Sequence, residues 1–463
     1  MKLRNYQITD LERLRQAYRD GFRAPLLTAP TGYGKTVLFC YVAAGVASKG
    51  KRVTILCHRS ELIDQTVAAL RKMDLNAGVI AAGYEENLLE PIQVASVMTL
   101  RNRLYRHKDP DLIIIDEAHH CTKNNTWGAI IQHYGHAKRL GVTATPIRLS
   151  GEGLADTFDT MIVGPSTREL IDMGYLTKVR VYAPSQPDLT GIRRNVGDYS
   201  LPDLEDRIAK SSITGDAITH YKKFCEGRKA IAFCVSVKHA NRVAESFTAA
   251  GYRAKSIDGS MDKHERKNIL EKFRRGEILV LTSCDLVSEG FDVPSIEVGI
   301  SLRPTTSTGL WIQQVGRCIR PDEGKHTAII LDHAGNSYKH GLPDQDREWE
   351  LTVTQEKRKK TDEKEEAVRV CKTCFAANKA AATECSECGT VFEIKERKIT
   401  QSKGELEELK QVEIKKNKQE QGSALSWEAL IALGKHRGYK NPQAWANYVI
   451  QGRIKRGRFR KYG

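Results

Sequence analysis

Short apolar runs separated by amphipathic stretches recur along the first 340 residues, the pattern of buried strands alternating with helices. Runs at 24–29, 52–57, 92–96, 111–116, 139–143 and 178–183 predict strands, and the segments between them are long enough for crossover helices. Residues 184–205 turn polar and rich in Pro, Gly and Asp, which predicts a connection. The alternation resumes from 212, with strands expected near 229–235, 254–258, 278–282, 296–301 and 326–332. The expected fold class is therefore α/β, with parallel-sheet lobes at 1–183 and 212–340 and a connection at 184–211. Beyond 340 the pattern lapses. Segments 341–367 and 395–424 interleave Glu with Lys and predict solvated linkers or exposed helix. A four-cysteine segment, 368–394, lies between them, and 425–463 predicts a small helical, basic tail.

The loop after the first strand reads Ala29-Pro30-Thr31-Gly32-Tyr33-Gly34-Lys35-Thr36, with a helical run behind it. Strand, loop and helix in that order make a phosphate cradle. Gly32 and Gly34 permit a tight turn and a close approach to phosphate oxygens. Backbone N–H groups and the helix N-terminus then face the anion. Lys35 is placed to reach the β- and γ-phosphates, and Thr36 to hold Mg²⁺. Ala29 stands where such loops usually begin with Gly, and the loop alone would also pass for an ordinary turn.

The fourth run, Asp111-Leu112-Ile113-Ile114-Ile115, ends in Asp116-Glu117-Ala118-His119. Central parallel strands deliver side chains at their C-terminal edge, where α/β sheets bind ligands. Asp116 is the expected Mg²⁺ ligand and Glu117 the base or water-orienting group. A surface acidic pair is the alternative, disfavoured by the upstream cradle. In Gln313-Gln314-Val315-Gly316-Arg317-Cys318-Ile319-Arg320, Arg317 and Arg320 are spaced to share one face of a helix beginning near Ser307. Cations so placed can clamp a triphosphate from across a cleft, and an arginine finger accelerates phosphoryl transfer by roughly 10³–10⁵. Alone, the pair would be a solvated basic face. The second lobe carries no phosphate loop of its own, so both lobes are expected to share one nucleotide.

These segments resemble the superfamily 2 helicases and translocases over residues 1–340. The likeness is to the DEAH-type group holding XPB-like motors, type III restriction-like motors and phage helicases. Leu3-Arg4-Asn5-Tyr6-Gln7 is similar to that group's adenine-recognition segment, which implies Arg4 and Gln7 at the base. Cys57-His58-Arg59-Ser60-Glu61-Leu62 resembles motif Ia, which touches the nucleic-acid backbone. Val142-Thr143-Ala144-Thr145-Pro146 resembles motif III, Phe233-Cys234-Val235-Ser236 motif IV, and Gly290-Phe291-Asp292-Val293-Pro294 motif V, which implies Gly290 and Asp292 at the nucleotide. The 313–320 segment resembles motif VI, opened by Gln313. The resemblance implies two RecA-like lobes, ATP with Mg²⁺, and catalytic roles for Lys35, Asp116, Glu117, His119, Gln313, Arg317 and Arg320. It favours DNA over RNA. An RNA helicase and an ATP-gated nucleoprotein remodeller remain as alternatives. No further metal-carboxylate nuclease motif is visible.

Composition narrows the setting. The chain has 463 residues and a formal net charge of +16, which favours polyanionic partners and nucleic acid first. No apolar run approaches the ~20 residues of a membrane helix, and no apolar leader is visible. Cytoplasm of a bacterial or phage-infected cell, without a membrane, is expected, with replication or recombination proteins as further partners. There are 11 cysteines. Cys371-x₂-Cys374 and Cys385-x₂-Cys388 form two knuckles able to set four thiolates around structural Zn²⁺. Redox pairs or free thiols are the alternatives. With so little apolar residue around it, the zinc-ribbon-like segment is expected to depend on metal and to be independent of the lobes.

In the tail, Trp427, Leu430, Ile431 and Leu433 predict one apolar face and Trp445, Tyr448, Val449 and Ile450 another. From Ala429 onward there are nine Lys or Arg and no acid. Cations near Trp445, Tyr448, Phe459 and Tyr462 suit phosphate contact with base stacking. A solubilising tail is the alternative.

Overall fold

The computed structural model of the chain describes residues 2–148, 151–183, 189–195, 198–209, 213–284, 296–352, 368–392, 420, 424, 426–438 and 441–455. They fall into two compact units, Met1–Phe392 and Glu393–Gly463. The first unit is built on two parallel sheets. The seven strands of the first are β1 (Pro25–Thr28), β2 (Val53–Cys57), β3 (Gly78–Ile80), β4 (Ile92–Ser96), β5 (Leu112–Asp116), β6 (Lys138–Thr143) and β7 (Thr160–Val163), in the order β3-β4-β2-β5-β6-β1-β7. β5 is buried along its whole length at the centre of this sheet, which is why its sequence is continuously apolar rather than alternating. β3 and β7 fall outside the predicted strands.

The second sheet comprises β8 (Lys178–Tyr182), then, past the hairpin β9 (Arg194–Asn195) and β10 (Asp198–Tyr199), β11 (Ala230–Phe233), β12 (Ala254–Ile257), β13 (Val280–Ser283), β14 (Val298–Ser301) and β15 (Thr327–Asp332). Its order is β12-β13-β11-β14-β15-β8. The strand expected to close the first lobe at 178–183 thus belongs to the second sheet, pairing Val179 with Ala328 and Val181 with Ile330. An apolar run marks a strand but not its partner, and backbone bonding to β15 decides this one.

The connection expected at 184–211 is also docked on the second lobe where it is described. The Asp198 carboxylate accepts from the Thr305 hydroxyl and the Thr306 N–H, both at 2.7 Å, and Leu204 packs against Val235. The linker expected from 341 is docked on both lobes over its described residues, 341–352. The Arg347 guanidinium donates to the carbonyls of His340 and Leu342 at 3.0 and 2.9 Å. Asp344 pairs with Arg168, Leu351 packs on the first lobe's core, and Ala155 N–H donates to the Leu351 carbonyl at 3.2 Å. Charged composition hid a strap that returns from the second lobe to the first.

The cysteine segment carries the hairpin β16 (Val368–Val370) and β17 (Ala377–Lys379). It covers the free edge of β8: Tyr182 bridges to Ala376, Ala183 N–H donates to the Phe375 carbonyl at 3.0 Å, and Arg180 meets Glu387 at 3.1 Å. Cys371, Ala376 and Cys385 join the second lobe's apolar cluster. The knuckle is therefore not independent of the lobes, because its few buried side chains find their core there.

In the second unit, helices Trp427–His436 and Pro442–Lys455 pack together through Leu430, Ala446 and Val449. Leu430 and Ile431 of the first expected face meet Trp445, Val449 and Ile450 of the second, whereas Trp427 is exposed and donates its indole N–H to the Asn447 side chain at 2.9 Å. The side chain of Tyr448, and residues 456–463 with Phe459 and Tyr462, lie outside the described residues. Among the described residues, no helix is long and apolar enough to cross a membrane.

Sharing a core gives the knuckle a measurable reach. Cys371→Ser combined with Cys374→Ser should lower the thermal midpoint of the second lobe, by about 2–4 °C for each kcal/mol of stability removed. It should also strip hydrogen-exchange protection from β8. Unchanged protection in β8 would mean that the knuckle unfolds alone.

Candidate active site

The cradle lies between β1 and the helix Lys35–Ala47. Gly32 and Gly34 both sit at φ 90°, a left-handed conformation that other residues adopt at a cost. A side chain at Gly34 would also collide with the Gln7 amide nitrogen, 2.7 Å from an added Cβ. Gln7 donates to the carbonyls of Tyr33 and Gly34 at 3.1 and 3.2 Å and accepts from Arg4 N–H at 2.9 Å. Its amide thus grips the loop itself. Tyr6 donates to the Tyr33 carbonyl at 2.9 Å, and the fully buried Tyr33 donates its hydroxyl to Asp10 at 2.8 Å. Ala29 N–H donates to the Thr143 carbonyl of β6 at 3.0 Å.

Lys35 points its ammonium into the loop, donating to the carbonyls of Ala29 and Pro30 at 2.8 and 3.2 Å. Burial pulls its pKa below the usual lysine value, while the Glu117 and Asp116 carboxylates work in the opposite direction. Asp116 ends β5 at the sheet's C-terminal edge. Burial, reinforced by the Glu117 charge, pushes its carboxyl up to about 7. Glu117 holds φ 50°, ψ 52°, a left-handed position unusual for this residue type that re-aims the chain at the strand end. His119 Nδ1 lies 2.9 Å from the Thr143 hydroxyl and 3.4 Å from Glu117 Oε2. The Thr143 hydroxyl in turn donates to the Thr145 carbonyl at 3.0 Å. His119 therefore ties the acidic pair to the 142–146 segment.

The second lobe closes over this floor. Ser307 caps the helix Thr308–Cys318, accepting from Leu310 N–H at 3.2 Å. An added Cβ at Gly316 would lie 2.6 Å from the Thr31 Cβ, so this helix rests directly on the cradle. Gln313 and Arg317 are buried on it. Arg320 lies beyond the helix end rather than on its face. The turn there is held by Lys325, which donates to the carbonyls of Cys318 and Arg320 at 2.5 and 2.6 Å. Thr177 N–H reaches the Ile319 carbonyl at 2.9 Å from the start of β8. Arg266 of the second lobe pairs with Glu61 at 3.2 Å, a second bridge between lobes.

One cleft of about 410 Å³ gathers Arg4, Thr31, Gly32, Gly34, Lys35, Thr36, Asp116, Glu117, Gln313, Arg317 and Arg320. Leu62, which ends the 57–62 segment, also lines it, and Tyr175, Gln65 and Pro321 complete the lining; these three went unnoticed in the sequence, since none sits in a segment singled out there. Arg4 stacks its guanidinium 4.4 Å from the Tyr175 ring centroid, so an aromatic shortly after a helix was the available signal. Gly290 and Asp292 lie outside the described residues.

Residues 1–148 match the family model described as type III restriction enzyme, res subunit, and residues 216–322 match the helicase conserved C-terminal domain. A 51.5 kDa Lactococcus phage protein is 36% identical over 372 residues, covering 80% of this chain and 79% of its own length. The chain belongs to the superfamily 2 helicases. It is also 28% identical to a Saccharomyces cerevisiae protein provisionally named ATP-dependent helicase IRC3, over 72% of this chain but 52% of the yeast protein. The helicase thus spans about half of that relative. A solved fragment of an HsdR subunit, assigned to a type I restriction enzyme from Vibrio vulnificus, superposes with a TM-score of 0.60 at 24% identity. That match covers 74% of the helicase and 66% of the fragment, and shows the two-lobe fold.

The helicase has a second cluster. The sulfurs of Cys371, Cys374, Cys385 and Cys388 all lie within 4.8 Å of one another, with Cys371–Cys388 at 3.6 Å and Cys374–Cys385 at 3.5 Å. Four sulfurs about 2.3 Å from a tetrahedral Zn²⁺ stand about 3.8 Å apart, so the donor set fits that ion.

Asp116 sets a pH signature for the nucleotide-free helicase. Its carboxyl retains a proton up to about 7, whereas the unfolded chain releases it near 4. The folded state binds more protons across that window, so this group's contribution to stability falls as pH rises from about 4 to about 7. Asp116→Asn should therefore melt above wild type at pH 7.5 in chelator, with the gap closing toward pH 4. A gap independent of pH would show that Asp116 titrates as it does unfolded.

Proposed function

We propose that this helicase is an ATP-dependent DNA translocase or helicase. The observation that carries the reading is the single cleft to which the first lobe supplies cradle and carboxylates and the second supplies cations. Phosphoryl transfer needs positioning and charge neutralisation more than covalent chemistry. Lys35 would leave the Ala29 and Pro30 carbonyls for the β- and γ-phosphates. Thr36 and Asp116 would hold Mg²⁺, which screens the phosphate charge when bound. Glu117 would orient and deprotonate the attacking water, while Arg317 and Arg320 would stabilise charge on the transferring group. Gln313 and His119 would couple cleft closure to the acidic pair and to the 142–146 segment. Arg4 beside Tyr175 would flank the base, and Gln7 would hold the loop. Gly290 and Asp292 keep their proposed place near the nucleotide from sequence likeness alone.

The +16 charge favours nucleic acid, and the restriction-type family match favours DNA over RNA. The four thiolates would carry one structural Zn²⁺, and the tail would add non-specific affinity for DNA. Replication or recombination proteins would recruit the motor in the cytoplasm of a bacterial or phage-infected cell. Strand displacement on DNA, RNA and hybrid duplexes tests the reading. ATP-dependent displacement on DNA is expected, and activity confined to RNA overturns it.

Two variants probe the parts. Glu117→Gln should retain ATP while turning it over about 10²–10⁴-fold more slowly, the usual weight of a general base, whereas Lys35→Ala should lose ATP binding as well. Wild-type turnover in Glu117→Gln would remove the base assignment. Truncation after Gln421 should weaken single-strand binding and flatten its salt dependence, by about 0.7 in logarithmic slope for each phosphate that the tail had neutralised. An unaltered slope, read by titrating binding against salt, would assign the tail another role.

A further inference from the structure

Tyr105 is the most exposed large hydrophobic side chain among the described residues, at 93%. It sits in the single turn Leu104–Arg106, outside the cleft lining. The turn is firmly built. Leu104 is buried in the first lobe's core, and its carbonyl accepts from the buried Tyr134 hydroxyl at 3.2 Å. Arg106 N–H donates to the Arg103 carbonyl at 3.0 Å. Arg103 is anchored to Glu86, which also lies 4.0 Å from Arg106. The Tyr105 ring stands edge-to-face on His133, centroids 5.0 Å apart at 88°, and His133 rests in the same way on Tyr134. An aromatic ring is thus fixed in water on a rigid mount.

Cations outnumber acids around it, with Glu86 and the exposed Asp109 as the acidic groups. Arg101, Arg106 and Lys108 are exposed on the same short segment. The segment begins beside the rim that carries His58 and Arg59 and runs from there toward the start of β5. Cys57 at the end of β2 pairs with Ser96 at the end of β4, so His58 and Val97 leave adjacent strands side by side. His58 lies 4.7 Å from His120 and 6.5 Å from Trp127, ring to ring. Trp127 belongs to the helix Thr126–His133, whose last residue supports Tyr105. At the head of that helix, Thr126 meets Met98, which is 64% exposed. A rigid exposed ring between cations offers stacking to a base and neutralisation to the flanking phosphates.

We propose that Tyr105 is a base-stacking platform for single-stranded DNA on the first lobe, with Arg101, Arg106 and Lys108 holding the backbone on either side. The proposal rests on the DNA reading above. Every base has a π-face, so the contact is independent of sequence.

The test compares wild type, Tyr105→Ala and Tyr105→Phe by fluorescence anisotropy. The probes are a labelled single-stranded DNA and the same length of abasic sugar–phosphate strand, at one fixed salt concentration. Tyr105→Ala should bind the base-bearing strand roughly five- to 150-fold more weakly, the weight of one stacked base. It should lose nothing on the abasic strand, and Tyr105→Phe should bind both as wild type does. If Tyr105→Ala matches wild type on both strands, or weakens equally on both, the platform is overturned while the DNA reading stands. A wild type that binds neither strand overturns both readings.

Discussion

Lys35 buries an ammonium group against the Ala29 and Pro30 carbonyls with two carboxylates close by, and the whole cleft is organised around that charge. A lone buried cation would be expelled or neutralised. Here the loop carbonyls solvate it, and Asp116 and Glu117 balance it. The same confinement raises Asp116, because burial penalises its charged form and the neighbouring Glu117 carboxylate adds to that penalty. A nucleotide with its metal would relieve both tensions at once, since phosphates take the lysine and the metal takes the carboxylate. The loop must be stiff for this exchange to be selective. Gln7, Tyr6 and the Tyr33–Asp10 contact lock it from below.

Closure of the second lobe depends on how near its helix can come. Gly316 lets the helix Thr308–Cys318 lie on Thr31, and the end of that helix is tied down by Thr177 and Lys325. Thr177 immediately precedes β8, the strand that follows the first lobe in sequence but pairs with the second sheet. One short segment therefore links the interlobe connection to the turn that holds Arg320. The His119–Thr143–Thr145 chain runs the other way, from the acidic pair towards Gly309, where an added Cβ would stand 3.0 Å from the Thr145 hydroxyl. Changes at the phosphates thus have two short, packed routes to the second lobe.

The accessory segments solve an edge problem. β8 ends the second sheet and would otherwise expose unpaired backbone groups. The knuckle covers it with the Tyr182–Ala376 bridge and the Ala183–Phe375 bond, and it gains a core in exchange. The 341–352 strap does comparable work between lobes, fastening Leu351 and Asp344 to the first.

Local sequence alone determined most of the strands, the cradle, the acidic pair and the four-cysteine set, because each is a matter of nearby residues. Burial on both faces makes β5 continuously apolar, Gly32 and Gly34 are demanded by a left-handed backbone, and thiolate spacing is set by two short turns. Tertiary structure decided what depends on partners far along the chain. β8 joined the second sheet through bonds to β15, Arg320 left its helix for a turn held by Lys325, and Gln7 spent its amide on the loop. Tyr175 and Tyr105 are two tyrosines with no motif around them. One became a wall of the cleft and the other a ring in open water only when packing settled which neighbours each would have.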